Sequence, residues 1–222
     1  MSAGAKLQTA LLRRALDFNP ATTAIERNLM PERPIGRVPT TITWLEMLER
    51  PSRPVLQAPV PGTEIVRALE APVHFYRYLY NTVGGPWLWT RRRLMDDETL
   101  AQILRAPATD FRVVWVHGVP AGYLEVDFSE LPDANLAYFG LMPEFIGRSI
   151  GPWLLDWTIR HAFDKGASRL HLNTCDLDHP RALQVYEAAG FSAYDRTDAF
   201  ETLLDGMELP AHLAETTVLP LV

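Results

Sequence analysis

Apolar and polar residues recur along this chain with two different periods, and the change from one to the other marks out its elements. Around Gly118-Val119-Pro120 the pattern is strand-like on both sides, which predicts an antiparallel hairpin of residues 111–117 and 121–128. Residues 136–142 form a short apolar strand candidate that leads into Pro143 and the loop Gly147-Arg148-Ser149-Ile150-Gly151. Beyond the loop the period becomes helical. Ile150, Leu154, Trp157 and His161 share one stripe, with Leu155, Ile159, Ala162 and Phe163 beside it, and Gly166 is a natural stop. Residues 169–175 return to alternation, Leu170, Leu172 and Thr174 against His171 and Asn173. A strand, helix and strand of this spacing imply two parallel strands joined by a right-handed crossover, with any ligand at their carboxyl ends.

The flanking regions are read by the same rules. Of the 18 prolines, eight fall between Pro20 and Pro61, so that stretch is expected to be loops around one strand at 40–48, taken as the first strand of the sheet. Residues 72–82 carry a helical pattern broken by Gly84-Gly85-Pro86, and 96–104 predict a second helix capped by Asp96 or Asp97. A further helix is expected at 181–189, followed by a last strand. The reading is an α/β (α+β) fold in which a mixed central sheet carries helices on both faces. Residues 1–37 form a helical extension and arm, and 38–222 a single domain whose core is 135–191.

Composition narrows the function classes. A chain of 222 residues, 47% of them hydrophobic, can bury one substantial core. The net charge of -6 excludes a broad nucleic-acid face, which needs basic residues. One cysteine, Cys175, rules out an internal disulfide framework and suits a reducing compartment. No apolar run reaches the roughly 18 residues of a membrane span. Leu7, Leu11, Leu12 and Ala15 are interrupted by Arg13 and Arg14, which suits an amphipathic helix rather than a secretory leader. A cytoplasmic protein without nucleic-acid or membrane partners is expected, with the N-terminal extension covering apolar surface on its own subunit or on a second copy in a homodimer.

The loop at 147–151 supplies the chemistry. A strand that ends in a glycine-containing loop and restarts as a helix leaves the first N–H groups of that helix unpaired, and the positive end of the helix dipole adds to their pull on phosphate. Together with Ala182-Leu183-Gln184-Val185-Tyr186-Glu187-Ala188-Ala189-Gly190-Phe191, the run from Leu141 to Leu155 resembles the GNAT superfamily of acetyl-CoA-dependent N-acetyltransferases. The family's Gln/Arg-x-x-Gly-x-Gly/Ala signature falls on Ile146, Ser149 and Gly151. Ile146 and Ser149 depart from it: the first has no polar side chain, and the second places a Cβ beside the pyrophosphate. Gly147, Gly151 and Pro152 keep the backbone geometry.

The resemblance implies acetyl-CoA as co-substrate, no metal, and an amine acceptor. It implies that the pantetheine arm lies between the two splayed parallel strands, bonded like an added strand to the main chain of Phe139, Leu141 and Met142. Ile146, Gly147, Arg148, Ser149, Ile150 and Gly151 would hold the pyrophosphate, with Arg148 as its cationic partner, and His179 would contact the cofactor backbone. Tyr186, four residues before the Gly190-Phe191 pair, would protonate the departing thiolate; packing on the Ala182–Ala189 face is the structural alternative. For the base, the family position corresponds to Asn135, which cannot accept a proton but can orient a water. Glu125 and Asp127, on one face of the preceding strand, are the alternates, Glu125 first because it lies further inside the strand, against a reading as an ordinary strand carboxylate. A main-chain N–H near Leu141 would polarise the thioester carbonyl. The aromatic set Phe75, Tyr76, Tyr78, Tyr80, Trp87 and Trp89 either lines an acceptor pocket or packs as core, and Arg91-Arg92-Arg93 reads as a solvated rim.

Overall fold

The computed structural model describes residues 32–221, so the predicted N-terminal helix lies outside the described residues. The elements in chain order are β1 (Pro34–Met47), β2 (Thr63–Arg67), α1 (Val73–Gly84), a 3-10 turn (Gly85–Trp87), α2 (Arg91–Leu94), α3 (Asp97–Arg105), β3 (Thr109–Val116), β4 (Val119–Asp127), β5 (Asp133–Leu141), α4 (Ile150–Asp164), β6 (Arg169–Cys175), α5 (Ala182–Ala189) and β7 (Ser192–Leu204). One seven-stranded mixed sheet runs in the order β2-β3-β4-β5-β6-β1-β7. No described helix is long and apolar enough to cross a membrane.

Alternation along the central strands feeds two cores. Val114, Val116, Leu124 and Val126 turn to the face covered by α4, where Ile150, Leu154, Leu155, Ile159 and Ala162 are buried. Phe111, Val113 and Tyr123 turn to the opposite face and meet Tyr76, Leu79, Tyr80, Leu100 and Leu104 of α1 and α3. Each fully buried leucine of this kind contributes roughly 1.5–3 kcal/mol, so helices on both faces follow from strands that are apolar on both. Asp96 caps α3, its Oδ1 accepting from the Thr99 N–H at 2.9 Å.

Two sequence expectations change. The strand predicted at 40–48 is the first of the sheet in chain order, but it begins earlier, at Pro34, and lies between β6 and β7, antiparallel to both. Its Val38, Ile42, Leu45 and Met47 are buried, as an interior strand requires. The edge is taken by β2, which the proline-rich reading missed; it is short and carries Glu64 and Arg67, features that suit an edge. Second, the expected stripe on α4 is rotated. Trp157 and His161 are only half-buried and stack on each other, while Asp156 and Arg160 are buried, because the β1–β2 connection covers that flank. Asp156 accepts from Arg160 Nε at 3.0 Å and from the Leu56 N–H at 3.1 Å, and pairs with Arg53.

The parallel pair β5–β6 is bonded only at Asp133–Asn135 against Arg169–His171. Beyond that point the two strands part, and the remainder of β5 keeps its partner β4 on one side only. Gly140 lets α1 lie directly on this part of β5, since a Cβ there would run into Val83.

Candidate active site

The parting of β5 and β6 opens a cleft of about 660 Å³. One end is walled by β5, the loop before α4, and α5; the other by the end of α1, the 3-10 turn and residues of β7.

At the first end, main-chain groups do most of the work. The Met142 N–H donates to Ala121 O of β4 at 2.9 Å. Alternation then turns the N–H and C=O groups of Leu141 and Phe139 to the other side, toward the open cleft. The loop turns through Gly147 (φ +82°) and Ser149 (φ +61°), both left-handed. Among the described residues no backbone carbonyl accepts from the N–H groups between Gly147 and Gly151, and the Ser149 hydroxyl does not cap the helix. Nothing stands within 4 Å of a Cβ built on Gly147. Free amides at the start of a 15-residue helix, beside an unpaired strand, fit a pyrophosphate followed by an amide-bearing arm.

Eight residues expected at the cofactor line this cleft: Phe139, Leu141, Ile146, Gly147, Ser149, Gly151, His179 and Tyr186. Met142 and Ile150 do not; both side chains are buried in the cores. Arg148 is exposed beside the loop, its guanidinium over the Phe145 ring at 5.0 Å. His179 takes the Arg181 N–H on Nδ1 at 3.1 Å, capping the approach to α5, and packs edge-on to Trp87 at 5.3 Å. Burial, Arg181 and His212 hold its imidazole below the usual histidine range, so Nε2–H remains as a neutral donor.

Tyr186 projects from α5 into the middle of the cleft, edge-on to Phe139 and to Phe191. Burial, with the nearby Asp178 charge, pushes its phenol well above the ordinary value, so the proton stays on oxygen until a strong base such as a thiolate appears.

The residues expected to supply the base lie elsewhere. Glu125 is 1% exposed and accepts from Tyr76 Oη and the Arg92 guanidinium, within a cluster that includes Phe111, Tyr123 and Tyr138. It is not among the residues lining the cleft, and neither is Asn135, which sits where β5 still pairs with β6. Arg92 is therefore no solvated rim residue; its side chain is 12% exposed.

Sequence reasoning missed the acids at the second end, Asp178 and Glu201. Asp178 Oδ2 accepts from Thr174 Oγ1 at 2.7 Å and the Cys175 N–H at 3.1 Å, and Oδ1 accepts from Trp89 Nε1 at 3.0 Å. This turn closes the end of β6 and ties it to the aromatic wall. Its signal in the sequence is an acid three residues past the strand end. Glu201 faces the same space from β7. Burial first, then Asp178, push the Cys175 thiol up to about 12, so it is an inert group in the wall.

A sequence profile of the Acetyltransferase (GNAT) family matches residues 76–191, more than half of the chain. Curated proteins provide no match. Among solved structures, the GCN5-related N-acetyltransferase of Sphaerobacter thermophilus has a TM-score of 0.52 at 14% identity, over 83% of this chain and 56% of its own. An aminoglycoside acetyltransferase from an uncultured soil metagenomic sample, crystallised with trehalose, has a TM-score of 0.50 at 19% identity, over 60% of this chain and 91% of its own. The chain thus spans little more than half the length of the Sphaerobacter protein. At these identities the structures speak for the fold, whereas the profile runs from Tyr76 through the phosphate loop to Phe191. The parted strands, the free amides before α4 and the matched sequence converge, and the chain belongs to the GNAT family of acetyltransferases.

Proposed function

We propose that this protein moves an acetyl group from acetyl-CoA to an amine by direct attack within a ternary complex. The observation that carries the reading is the interrupted β5–β6 pairing, which presents the Phe139 and Leu141 main chain to the same cleft as the α4 N-terminus and Tyr186. When bound, acetyl-CoA supplies an activated thioester carbonyl and a thiol leaving group. The amides from Gly147 to Gly151 hold the diphosphate, with Arg148 close enough to the loop to add a charge. Phe139 and Leu141 pair with the pantetheine arm as a strand would. The Leu141 N–H, facing the cleft, polarises the carbonyl. Tyr186 gives its proton to the departing sulfur, a role suited to a phenol that stays protonated at neutral pH.

In this reading the catalytic domain begins with β1 at Pro34, a few residues before the division at residue 38 that the sequence suggested. Use of acetyl-CoA and a single free thiol suit the cytoplasm. The acceptor class is sought first among polyamines and amino sugars, since one solved relative acetylates aminoglycosides.

Calorimetry with acetyl-CoA and a thiol-release assay against a panel of amines test this together. Binding with amine-dependent thiol release is expected. Binding without release on any amine would leave a fold that kept its ligand and lost the chemistry.

A further inference from the structure

Three carboxylates lie near enough to the chemistry to be considered as proton acceptors, and their surroundings separate them. Glu125 is sealed in the aromatic core with Tyr76 and Arg92 on its oxygens and does not line the cleft. Asp178 reaches the cleft, but both of its oxygens already accept hydrogen bonds from Trp89, Thr174 and Cys175. Glu201 also lines the cleft, with a side chain 19% exposed. Its Oε1 meets Arg91 at 3.4 Å, a long contact to a side chain that is itself 68% exposed, and Oε2 has no protein donor among the described residues.

The surroundings of Glu201 select a charge type. Trp87, Trp89 and Thr90 form the facing wall, with the protonated Cys175 thiol at its base. Glu201 and Asp178 line that end together with the indoles of Trp87 and Trp89; carboxylates attract a cation, and indole faces add to the attraction. Tyr186, Asp178 and Glu201 line the same cleft, and the Asp178 charge acts on both of the others.

Resting on the acetyltransfer reading above, we propose that Glu201 is the catalytic proton acceptor for a cationic primary amine that enters between the Trp87–Trp89 wall and β7. An alkylammonium R–NH3+ loses one proton to Glu201 Oε2, and its lone pair then forms the C–N bond to the thioester carbon. As the C–S bond breaks, Tyr186 protonates the sulfur and recovers a proton from the nitrogen, leaving the amide, the free thiol and one proton on Glu201 that passes to solvent. The groups acting on Glu201 are Arg91 of α2, Asp178 after β6 and Cys175 of β6. Burial and Asp178 raise its carboxyl above the ordinary range, and Arg91 opposes them, a balance that moves a carboxylate toward the working range of a base.

The test is Glu201→Gln in the full chain, assayed by thiol release with an alkylamine and with an arylamine that is already neutral at pH 7. For the alkylamine, kcat/KM near pH 7 is expected to fall roughly 100-fold and the acidic limb of its pH profile to move up toward the amine's own pKa. For the arylamine the change stays within about threefold, because no proton needs removal before attack. Glu201→Asp, which keeps a carboxylate at shorter reach, is expected to recover part of the rate and return the limb partway. Unchanged acetyl-CoA affinity in both variants reports an intact fold. Wild-type rates with the acidic limb unmoved in Glu201→Gln would overturn the assignment of the base and leave acetyltransfer standing. Absence of turnover in the wild type on every amine would overturn both.

Discussion

The two ends of the cleft are built by different kinds of group. At the proposed cofactor end the working parts are main-chain amides of β5 and of the loop before α4, all within the span matched to the family. The acceptor end draws Glu201 from β7, beyond that span, and works through side chains: two indoles, two carboxylates and a guanidinium. A site made of backbone tolerates replacement of side chains such as Ile146 and Ser149, because the fold holds the amides in place. A site made of side chains changes its ligand with each substitution. In the proposed reaction the first end sets what is carried, and the second sets what receives it.

Variants can break this division. The largest effect is expected at the boundary: Tyr186→Phe should lower kcat by roughly 100-fold or more while acetyl-CoA affinity, set by the amides, changes less than about twofold. An equal loss of affinity would mean that the tyrosine packs the cleft instead of serving it.

Next is the β1–β2 connection, whose Arg53 and Leu56 line the cofactor end and are held by Asp156. Asp156→Asn should cost about 3 kcal/mol in urea unfolding, since it leaves Arg160 and Arg53 without their buried counter-charge. Burial alone would raise the Asp156 carboxyl, but hydrogen bonds from Arg160, the Leu56 N–H and Arg53 outweigh it and hold the group below the ordinary carboxylate range. Its contribution is thus complete above the unfolded-state pKa and is lost as pH falls through the lower folded value. A urea series across the acid range should show this loss in the wild type and a flatter curve in the variant.

The smallest change is Ser149→Gly. The left-handed φ of +61° at Ser149 costs a non-glycine residue about 1 kcal/mol, offset in part by the extra freedom of glycine in the unfolded chain. A gain in acetyl-CoA affinity of about threefold is expected by calorimetry, with the amine KM unchanged. A weaker complex would show that the serine hydroxyl is itself a ligand.

Legibility in the sequence follows the same division. Local periodicity and glycine placement carried β4, β5, α4, β6 and α5, and the loop motif pointed to the cofactor end, because those features are written in consecutive residues. The position of β1 was not legible: alternation marks 40–48 as a strand, but no local pattern says that it pairs with β6 and β7, more than 120 residues away in sequence. Nothing local to Glu125 shows that Arg92, one of three consecutive arginines, folds back beside it in the core. Asp178 and Glu201 come together only through the closure of the sheet, and neither stands in a motif.

The central claim, that main-chain amides grip the cofactor, is most directly tested by residue-resolved amide hydrogen exchange with and without saturating coenzyme A. The N–H groups of Leu141 and of Gly147 to Gly151 are predicted to slow at least about tenfold on binding, while those around Tyr194 at the outer edge of β7 stay unchanged. Coenzyme A binding that leaves Leu141 and the loop amides exchanging at their free rates would contradict the account.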